Sequence, residues 1–349
     1  MPAIDEILKT AREAGASDVH ITAGIPPKMR INGRLVTMEY PRLLPADTLE
    51  VLLNIMSEAQ REKFEEKGEY DVSYSISDAG RYRVNAYRQR GTVALSFRLV
   101  DIVVKSTEEL GIPAYVNALC EKRKGLVLVA GPSGSGKSTT LAAMLDRMNN
   151  QRDAHIITLE DPIEYLHQHK VSMVNQREIG WDSGSYADAL QATLREDPDV
   201  ILVGRIPDNE TVRGMITAAE TGHLVLAAMD SDGAVSAIEH LVDGFAPQQQ
   251  QQFRWQLANV LEAVVFQQLL PATQEQGRVA AFEVLHGNQA VRNLIREGKT
   301  QQIPAVMQAN RKSGMITMEE SIKQLYAEGK ISKQVALQFL QEVLETRMS

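Results

Sequence analysis

Glycine, lysine and hydroxyl residues stand close together at residues 131–138, GPSGSGKS. Their spacing, G-x-x-x-x-G-K-[ST], is typical of a loop whose backbone N–H groups surround phosphates while the lysine supplies positive charge. LVLVA before it predicts a strand and STTLAAMLDRM after it predicts a helix, whose N-terminal dipole also favours an anion. We therefore predict that ATP or ADP binds here with Mg²⁺, and that Ser138 is a ligand of the cation. The candidate nucleotide-binding residues of this loop are Gly131, Pro132, Ser133, Gly134, Ser135, Gly136, Lys137, Ser138 and Thr139.

Two carboxylates follow an apolar run in HIITLEDPIEYLH, at residues 155–167. Pro162 disfavours a helical conformation of the residue before it, so Glu160 and Asp161 are expected at the tip of a strand. Strand tips line the ligand crevice of a parallel sheet, which makes Glu160 and Asp161 candidate catalytic residues. Glu160 is also a candidate Mg²⁺ ligand together with Ser138. The alternative is that both acids are solvated turn residues.

A further apolar strand is predicted at residues 200–203, in EDPDVILVGRIP. A hydrolase with a phosphate-binding loop usually carries a carboxylate at the end of such a neighbouring strand, close to magnesium and the attacking water. Here Gly204 is followed by Arg205, a residue of the opposite charge. Arg205 is therefore an altered catalytic position.

Arginine is concentrated in GRYRVNAYRQRGTVALSFR, residues 80–98, and no acid lies among them. Three interpretations remain open for this segment: a solvated strand face, binding of nucleic acid aided by the interleaved tyrosines, or contacts to a nucleotide held by another domain or subunit.

The elements that must position these residues fall into two groups. Residues 1–100 predict a small α+β domain, with an amphipathic helix at Ile4–Ala11, a turn at Asn32-Gly33 and antiparallel strands towards residue 100. Residues 101–113 predict a linker. Residues 114–349 predict an α/β domain, since short apolar runs alternate with helical stretches as in a doubly wound, largely parallel sheet. After Asp230 the pattern predicts mostly helices.

Composition narrows the class of protein. The chain has 349 residues, a net charge of −8 and one cysteine, Cys120. The negative charge argues against nucleic-acid binding by the whole chain. The lone cysteine excludes a disulfide within the chain and fits a reducing compartment. No apolar signal core and no run of about 18 apolar residues occurs, so we expect a cytoplasmic protein that does not insert into the membrane itself.

The order and spacing of the motifs resemble those of the secretion ATPases, and most closely the PilT-like type IV pilus retraction ATPases. The resemblance covers nearly the whole chain. ASDVHITAGIPPKMRINGRL is similar to the N-terminal opening of these ATPases, and GRYRVNAYRQRGTVALSFR to their arginine segment. GPSGSGKSTTLAAMLDRMN resembles their Walker A loop, ITLEDPIEYLH their acidic box and LREDPDVILVG their Walker B strand. TAAETGHLV resembles their histidine box, and AVRNLIREGKTQQIPAVMQ their C-terminal retraction segment.

This resemblance implies a PAS-like N-terminal domain and a RecA-like ATPase domain with C-terminal helices, assembled as a homohexamer. It implies a location at the cytoplasmic, inner-membrane base of a pilus machine, where the ring works on an inner-membrane platform protein. Nucleotide would bind between the two domains, with Arg81, Arg88 and Arg98 as candidate phosphate contacts. Glu160 would be the general base and His223 a catalytic residue of the histidine box.

The chain departs from that family's pattern at two positions. The family normally has glutamate where this chain has Arg205, and a second histidine where it has Asp230. An arginine cannot coordinate Mg²⁺ and repels it, and the loss of one transition-state electrostatic contact commonly costs about 3–4 kcal/mol.

Two functions fit this pattern. The first is a hexameric motor ATPase of the pilus-retraction class, used in twitching motility, with hydrolysis weakened by Arg205 and Asp230. The second is a nucleotide-binding, hydrolysis-poor regulatory or structural subunit of a pilus or secretion machine.

Overall fold

A computed structural model describes residues 3–31, 33–76, 80–100, 104–273 and 277–348. The chain divides into two compact units. The first is Met1–Val103 with Glu164–Leu166, and the second is Val104–Ile163 with His167–Ser349. The domain boundaries predicted from the sequence, 1–100 and 114–349, stay predictions. Residues 101–103 of the predicted linker lie outside the described residues.

The first unit is an antiparallel sheet with helices packed against it. Its strand order is β3-β2-β1-β6-β5-β4. Ile7, Leu8, Tyr82 and Phe97 are fully buried in the core between sheet and helices. The elements are α1 (Ile4–Glu13), β1 (Asp18–Thr22), β2 (Lys28–Ile31), β3 (Arg34–Thr37), α2 (Pro45–Ile55), α3 (Glu58–Lys67), β4 (Glu69–Ile76), β5 (Gly80–Gln89) and β6 (Thr92–Leu99).

The expected first helix and antiparallel strands are confirmed in this unit. One apolar stripe explains α1: Ile4, Ile7, Leu8 and Ala11 recur at helical spacing and all four are buried. Gly33 has φ +79°, the left-handed conformation expected of a tight turn between β2 and β3. Asn32, the other residue of the predicted turn, lies outside the described residues.

The second unit is built on a sheet of order β13-β12-β7-β11-β10-β8-β9. From β9 to β12 neighbouring strands are parallel, and β13 is antiparallel to β12. The strands are β7 (Gly125–Ala130), β8 (His155–Glu160), β9 (Met173–Glu178), β10 (Val200–Val203), β11 (Leu224–Met229), β12 (Leu261–Pro271) and β13 (Arg278–His286).

Helices cover both faces of this sheet, and apolar cores lie on each side. Every residue of β7 and β10 is buried, as expected of parallel strands covered on both faces. The helices are α4 (Ala114–Asn117), α5 (Lys137–Gln151), α6 (Tyr186–Thr193), α7 (Asn209–Glu220), α8 (Ala234–Asp243), α9 (Pro247–Val260), α10 (Gln289–Glu297), α11 (Ile303–Ala309), α12 (Met318–Ala327) and α13 (Lys333–Met348), with 3₁₀ turns at Ala118–Glu121, Thr300–Gln302 and Arg311–Ser313.

After Asp230 the chain is mostly helical, as the sequence predicts, but two strands were not expected there. β12 and β13 form a long antiparallel pair among the helices. Helix α9 ends at Val260 and the strand begins at the next residue. The apolar residues of 260–266 fit helical spacing and a fully buried strand equally well over so short a run, and β12 lies beside β7 inside the sheet.

Within the described residues, no helix is long and apolar enough to cross a membrane.

Candidate nucleotide site

The predicted phosphate-binding loop joins β7 to α5, at the carboxyl end of β7. Gly131, Gly134 and Gly136 have φ values of +153°, +77° and +90°. A Cβ on Gly131 would overlap the backbone oxygen of Gln267 and lie 2.6 Å from Ser135 Oγ, so only glycine fits at this position. The loop is therefore a tight turn of backbone ahead of a helix N-terminus, the geometry that the sequence predicted for binding phosphates.

Two serine hydroxyl groups, in the loop and in the helix turn that follows it, lack a hydrogen-bond partner within the described residues. Ser135 is 3% exposed, and its Oγ makes no hydrogen bond within the described residues. The hydroxyl of Ser138, in the first turn of α5, likewise makes no side-chain hydrogen bond in the described part of the chain. These donors and acceptors, together with the glycine backbone, fit an anionic ligand and a hydroxyl-bound cation.

Lys137 is held by three contacts. Its Nζ donates to Gly131 O at 2.9 Å, to Pro132 O at 3.0 Å and to Asp230 Oδ1 at 2.8 Å. The lysine side chain is 12% exposed, whereas Asp230 is 78% exposed. Asp230 reaches the lysine because it follows β11, which pairs with β7 along its whole length. Asp230, at the altered histidine-box position, thus contacts the lysine that the sequence predicts to bind phosphate.

Gln267 is a residue of this site that the sequence analysis missed. It lies in β12, is 1% exposed, and its Nε2 donates to Ser135 O at 2.6 Å. It fixes the loop backbone from the neighbouring strand. The available signal was a pair of glutamines in the otherwise apolar run LEAVVFQQLLP.

The acidic box and the altered Walker B position lie side by side. Strand β8 pairs in parallel with β10, Leu159 opposite Val203, and Gly204 N donates to Leu159 O at 2.8 Å. A Cβ on Gly204 would lie 3.4 Å from both Cα and Cγ of Glu160. The structure therefore brings the end of β10, where Arg205 begins, against Glu160 at the end of β8.

Glu160 is oriented by two neighbouring side chains. Thr158 Oγ1 donates to Glu160 Oε1 at 2.6 Å and Gln176 Nε2 donates to the same oxygen at 3.1 Å. Two donors on one carboxylate oxygen restrict the rotation of the Glu160 side chain. Asp161 is exposed just beyond the strand.

Tyr186, at the start of α6, is a second residue that the sequence analysis did not single out. It is 3% exposed, and its hydroxyl makes no hydrogen bond within the described residues. Burial raises the pKa of Tyr186; Asp161 and Glu160 raise it further, while Arg205 lowers it. Its hydroxyl therefore lies within the electrostatic reach of both acids and of Arg205.

Arg205 is exposed and makes no hydrogen bond or ion pair within the described residues. It pairs with neither Glu160 nor Asp161 there. Its charge is thus available to a ligand at this edge of the sheet.

His223 lies at the opposite end of β11 from Asp230. Its backbone oxygen accepts from Gly125 N at 3.0 Å, at the start of β7, and its Nδ1 is 2.9 Å from Ala218 O. The six residues of β11 separate it from the loop edge by about 20 Å. The structure does not bring His223 to the loop of its own chain, and its catalytic role stays a prediction.

Arg88 and Arg98 have partners within the first unit. Arg88 forms an ion pair with Glu65 and lies over the Phe64 ring, 5.7 Å from its centroid. Arg98 Nε donates to Asp18 Oδ1 at 2.9 Å, although the Arg98 side chain is 74% exposed. Arg81 lies in β5. All three assignments to nucleotide remain predictions.

Comparison with known proteins agrees with this loop and fold. The chain matches the family described as "Type II/IV secretion system protein" over residues 1–345. It belongs to this family.

Relatives match it at nearly full length. It is 42% identical to "Type IV pilus retractation ATPase PilT" of Pseudomonas aeruginosa, covering 95% of this chain and 96% of the relative. It is 39% identical to "Type IV pilus ATPase PilU" of the same organism, covering 95% and 87%. A crystal structure titled "Crystal Structure of the Pilus Retraction Motor PilT and Bound ADP" aligns with TM-score 0.87 and 47% identity over 95% of both chains.

Membership of the family supports nucleotide binding by the loop at residues 131–138. In the described residues there is no group of three or more His, Cys, Asp or Glu side chains that could hold a metal ion.

Proposed function

We propose that this chain is a P-loop ATPase that powers retraction of a type IV pilus. The observation that carries the proposal is the glycine-built loop with Lys137 at its base, at the carboxyl edge of a parallel sheet. The retraction role is supported by near full-length similarity to the PilT and PilU proteins named above.

In this proposal Lys137 contacts the β and γ phosphates and the loop N–H groups contact the phosphate oxygens. Ser138 and Glu160 are the Mg²⁺ ligands; the cation neutralises phosphate charge when bound. Glu160, fixed by Thr158 and Gln176, orients or deprotonates the attacking water. Asp161 adds negative charge next to it.

The assembly in this proposal is a homohexamer in the cytoplasm, at the inner-membrane base of the pilus machine, acting on a platform protein. Arg81, Arg88 and Arg98 supply phosphate contacts in the assembled ring. Arg88 and Arg98 must then exchange their present carboxylate partners, Glu65 and Asp18, for phosphate.

A second function is favoured by one specific observation. Arg205 follows Gly204, whose backbone packs against Glu160, and it brings a positive charge to the end of β10, where a carboxylate would support Mg²⁺. Strong inhibition of turnover would make the chain a nucleotide-binding, hydrolysis-poor regulatory or structural subunit of the same machine.

Binding and phosphate release by the purified full chain test the proposal. We expect the wild type to bind ATP and ADP and to release phosphate slowly, and Lys137→Ala to lose both. Lys124→Ala is the matched control, since Lys124 is exposed before β7, at the opposite edge of the sheet. A wild type that binds neither nucleotide would overturn the proposal; binding without Lys137-dependent release would favour the second function.

A further inference from the structure

The ammonium group of Lys137 has no donor to spare. A lysine carries three N–H donors, and those of Lys137 meet the oxygens of Gly131, Pro132 and Asp230 at 2.8–3.0 Å. A phosphate that binds Lys137 must therefore replace one of these acceptors.

Asp230 is the acceptor that can leave. Gly131 and Pro132 offer backbone oxygens of the loop itself, and Gly131 N is bonded in turn to Met229 O at 3.1 Å. The Asp230 side chain is 78% exposed, so it can rotate into solvent at small cost, and an exposed ion pair is weak. It is also the only one of the three that carries negative charge, as a phosphate does.

Rotation does not remove the charge of Asp230 from the site. Its backbone is fixed by the β11–β7 pairing, Met229 opposite Ala130, directly beside the first residue of the loop. ADP brings one phosphate group to the lysine, the β-phosphate, whereas ATP brings two. The γ-phosphate of ATP therefore adds both to the competition for Lys137 and to the repulsion by the Asp230 carboxylate, which carries a like charge.

We propose that Asp230 is a specificity-determining residue that competes with the γ-phosphate for Lys137 and so shifts the site's preference from ATP towards ADP. This inference rests on the proposed nucleotide binding. The proposed effect of Asp230 differs from a loss of catalysis, because it changes the affinity for nucleotide and depends on the γ-phosphate.

Calorimetric titration of the full chain with Mg²⁺-ATP and Mg²⁺-ADP tests this role in wild type and Asp230→Asn. We expect the variant to bind ATP about 3- to 10-fold more tightly, with ADP affinity changed less than about twofold. Asp232→Asn is the matched control: Asp232 lies two residues further on, is exposed, and makes no hydrogen bond or ion pair within the described residues. It removes the same charge and should leave both affinities unchanged.

Three results would overturn the role of Asp230: unchanged ATP affinity in Asp230→Asn, weaker ATP affinity, or an equal gain for ATP and ADP. Weaker ATP affinity would mean that the carboxylate supports the cation instead. If the wild type binds no nucleotide at all, the proposed function is refuted. If it binds nucleotide but Asp230→Asn gives one of the three results above, only the role of Asp230 is refuted.

Discussion

At the scale of single residues, the site is defined by charges at the ends of neighbouring strands. Arg205 follows β10 and Asp230 follows β11, and those strands pair in parallel. Asp230 already pairs with Lys137, while Arg205, directly after the Gly204 backbone that packs against Glu160, makes no ion pair in the described chain. Binding and turnover are therefore expected to respond to different residues, Asp230 for the first and Arg205 for the second.

Gln267→Ala should loosen the loop from the sheet. The substitution removes a buried hydrogen bond to Ser135 O and leaves a cavity at a position that is 1% exposed. We expect the free energy of unfolding to fall by about 1–3 kcal/mol, measured by chemical denaturation. Gln268→Ala is the control on the other face of β12, and equal losses in the two variants would contradict the role of Gln267.

His167 should make stability depend on pH. Burial lowers its pKa to about 4, although Asp146 raises it and Lys170 lowers it further. Between about pH 6.5 and 4 the unfolded chain binds the proton and the folded chain does not. The stabilisation is therefore complete above pH 6.5, and roughly 3 kcal/mol is lost as the pH falls through that window.

The measurement for His167 is chemical denaturation at pH 7 and pH 5. His167→Asn should show a smaller loss between the two than the wild type. His240→Asn, at an exposed position of α8, should retain the wild-type difference. An unchanged difference in His167→Asn would refute the assignment.

At the scale of elements, the β12–β13 pair decides how the loop is supported, because Gln267 belongs to it. Gly287, directly after β13, bonds to Glu262 O at 2.9 Å and lies against the backbone of β12. A Cβ there would overlap the carbonyl oxygen of Leu261. Backbone atoms of a paired strand cannot move away at small cost.

Gly287→Ala is therefore expected to destabilise the second unit by about 1–3 kcal/mol or more, seen as a lower melting temperature. Gly277→Ala tests the same substitution at the other end of the pair, where the nearest atom, Ala272 Cβ, is 3.8 Å from the added carbon. Equal melting temperatures for the two variants would contradict this packing.

The elements show how far sequence reasoning reaches here. Apolar runs between helical stretches were enough to predict β7, β8, β10 and β11 and the edge at which the loop lies, because buried parallel strands have a distinctive pattern. They were not enough for β12, where helix and strand periodicity coincide. Gln267 and Tyr186 were missed for a related reason: their importance depends on which atoms the sheet places near them, which no local pattern contains.

At the scale of the whole molecule, each unit has its own core, and the candidate arginines and the phosphate-binding loop belong to different units. A chain of 38.7 kDa that works as a hexameric ring should have a mass about six times larger by light scattering with ATP and Mg²⁺.

In such a ring, Arg88→Ala should reduce ATP affinity more than Arg123→Ala, because Arg123 is an exposed arginine outside the arginine segment of residues 80–98. A purely monomeric protein under these conditions would contradict the proposed ring.

The most direct test of the account is phosphate release by purified full chain with ATP and Mg²⁺, in wild type and Arg205→Glu, with Arg123→Glu as a charge-matched control. We predict slow, Lys137-dependent release by the wild type and by the control, and release faster by about 10- to 1,000-fold in Arg205→Glu. Equal rates in wild type and Arg205→Glu would contradict the claim that Arg205 separates nucleotide binding from turnover.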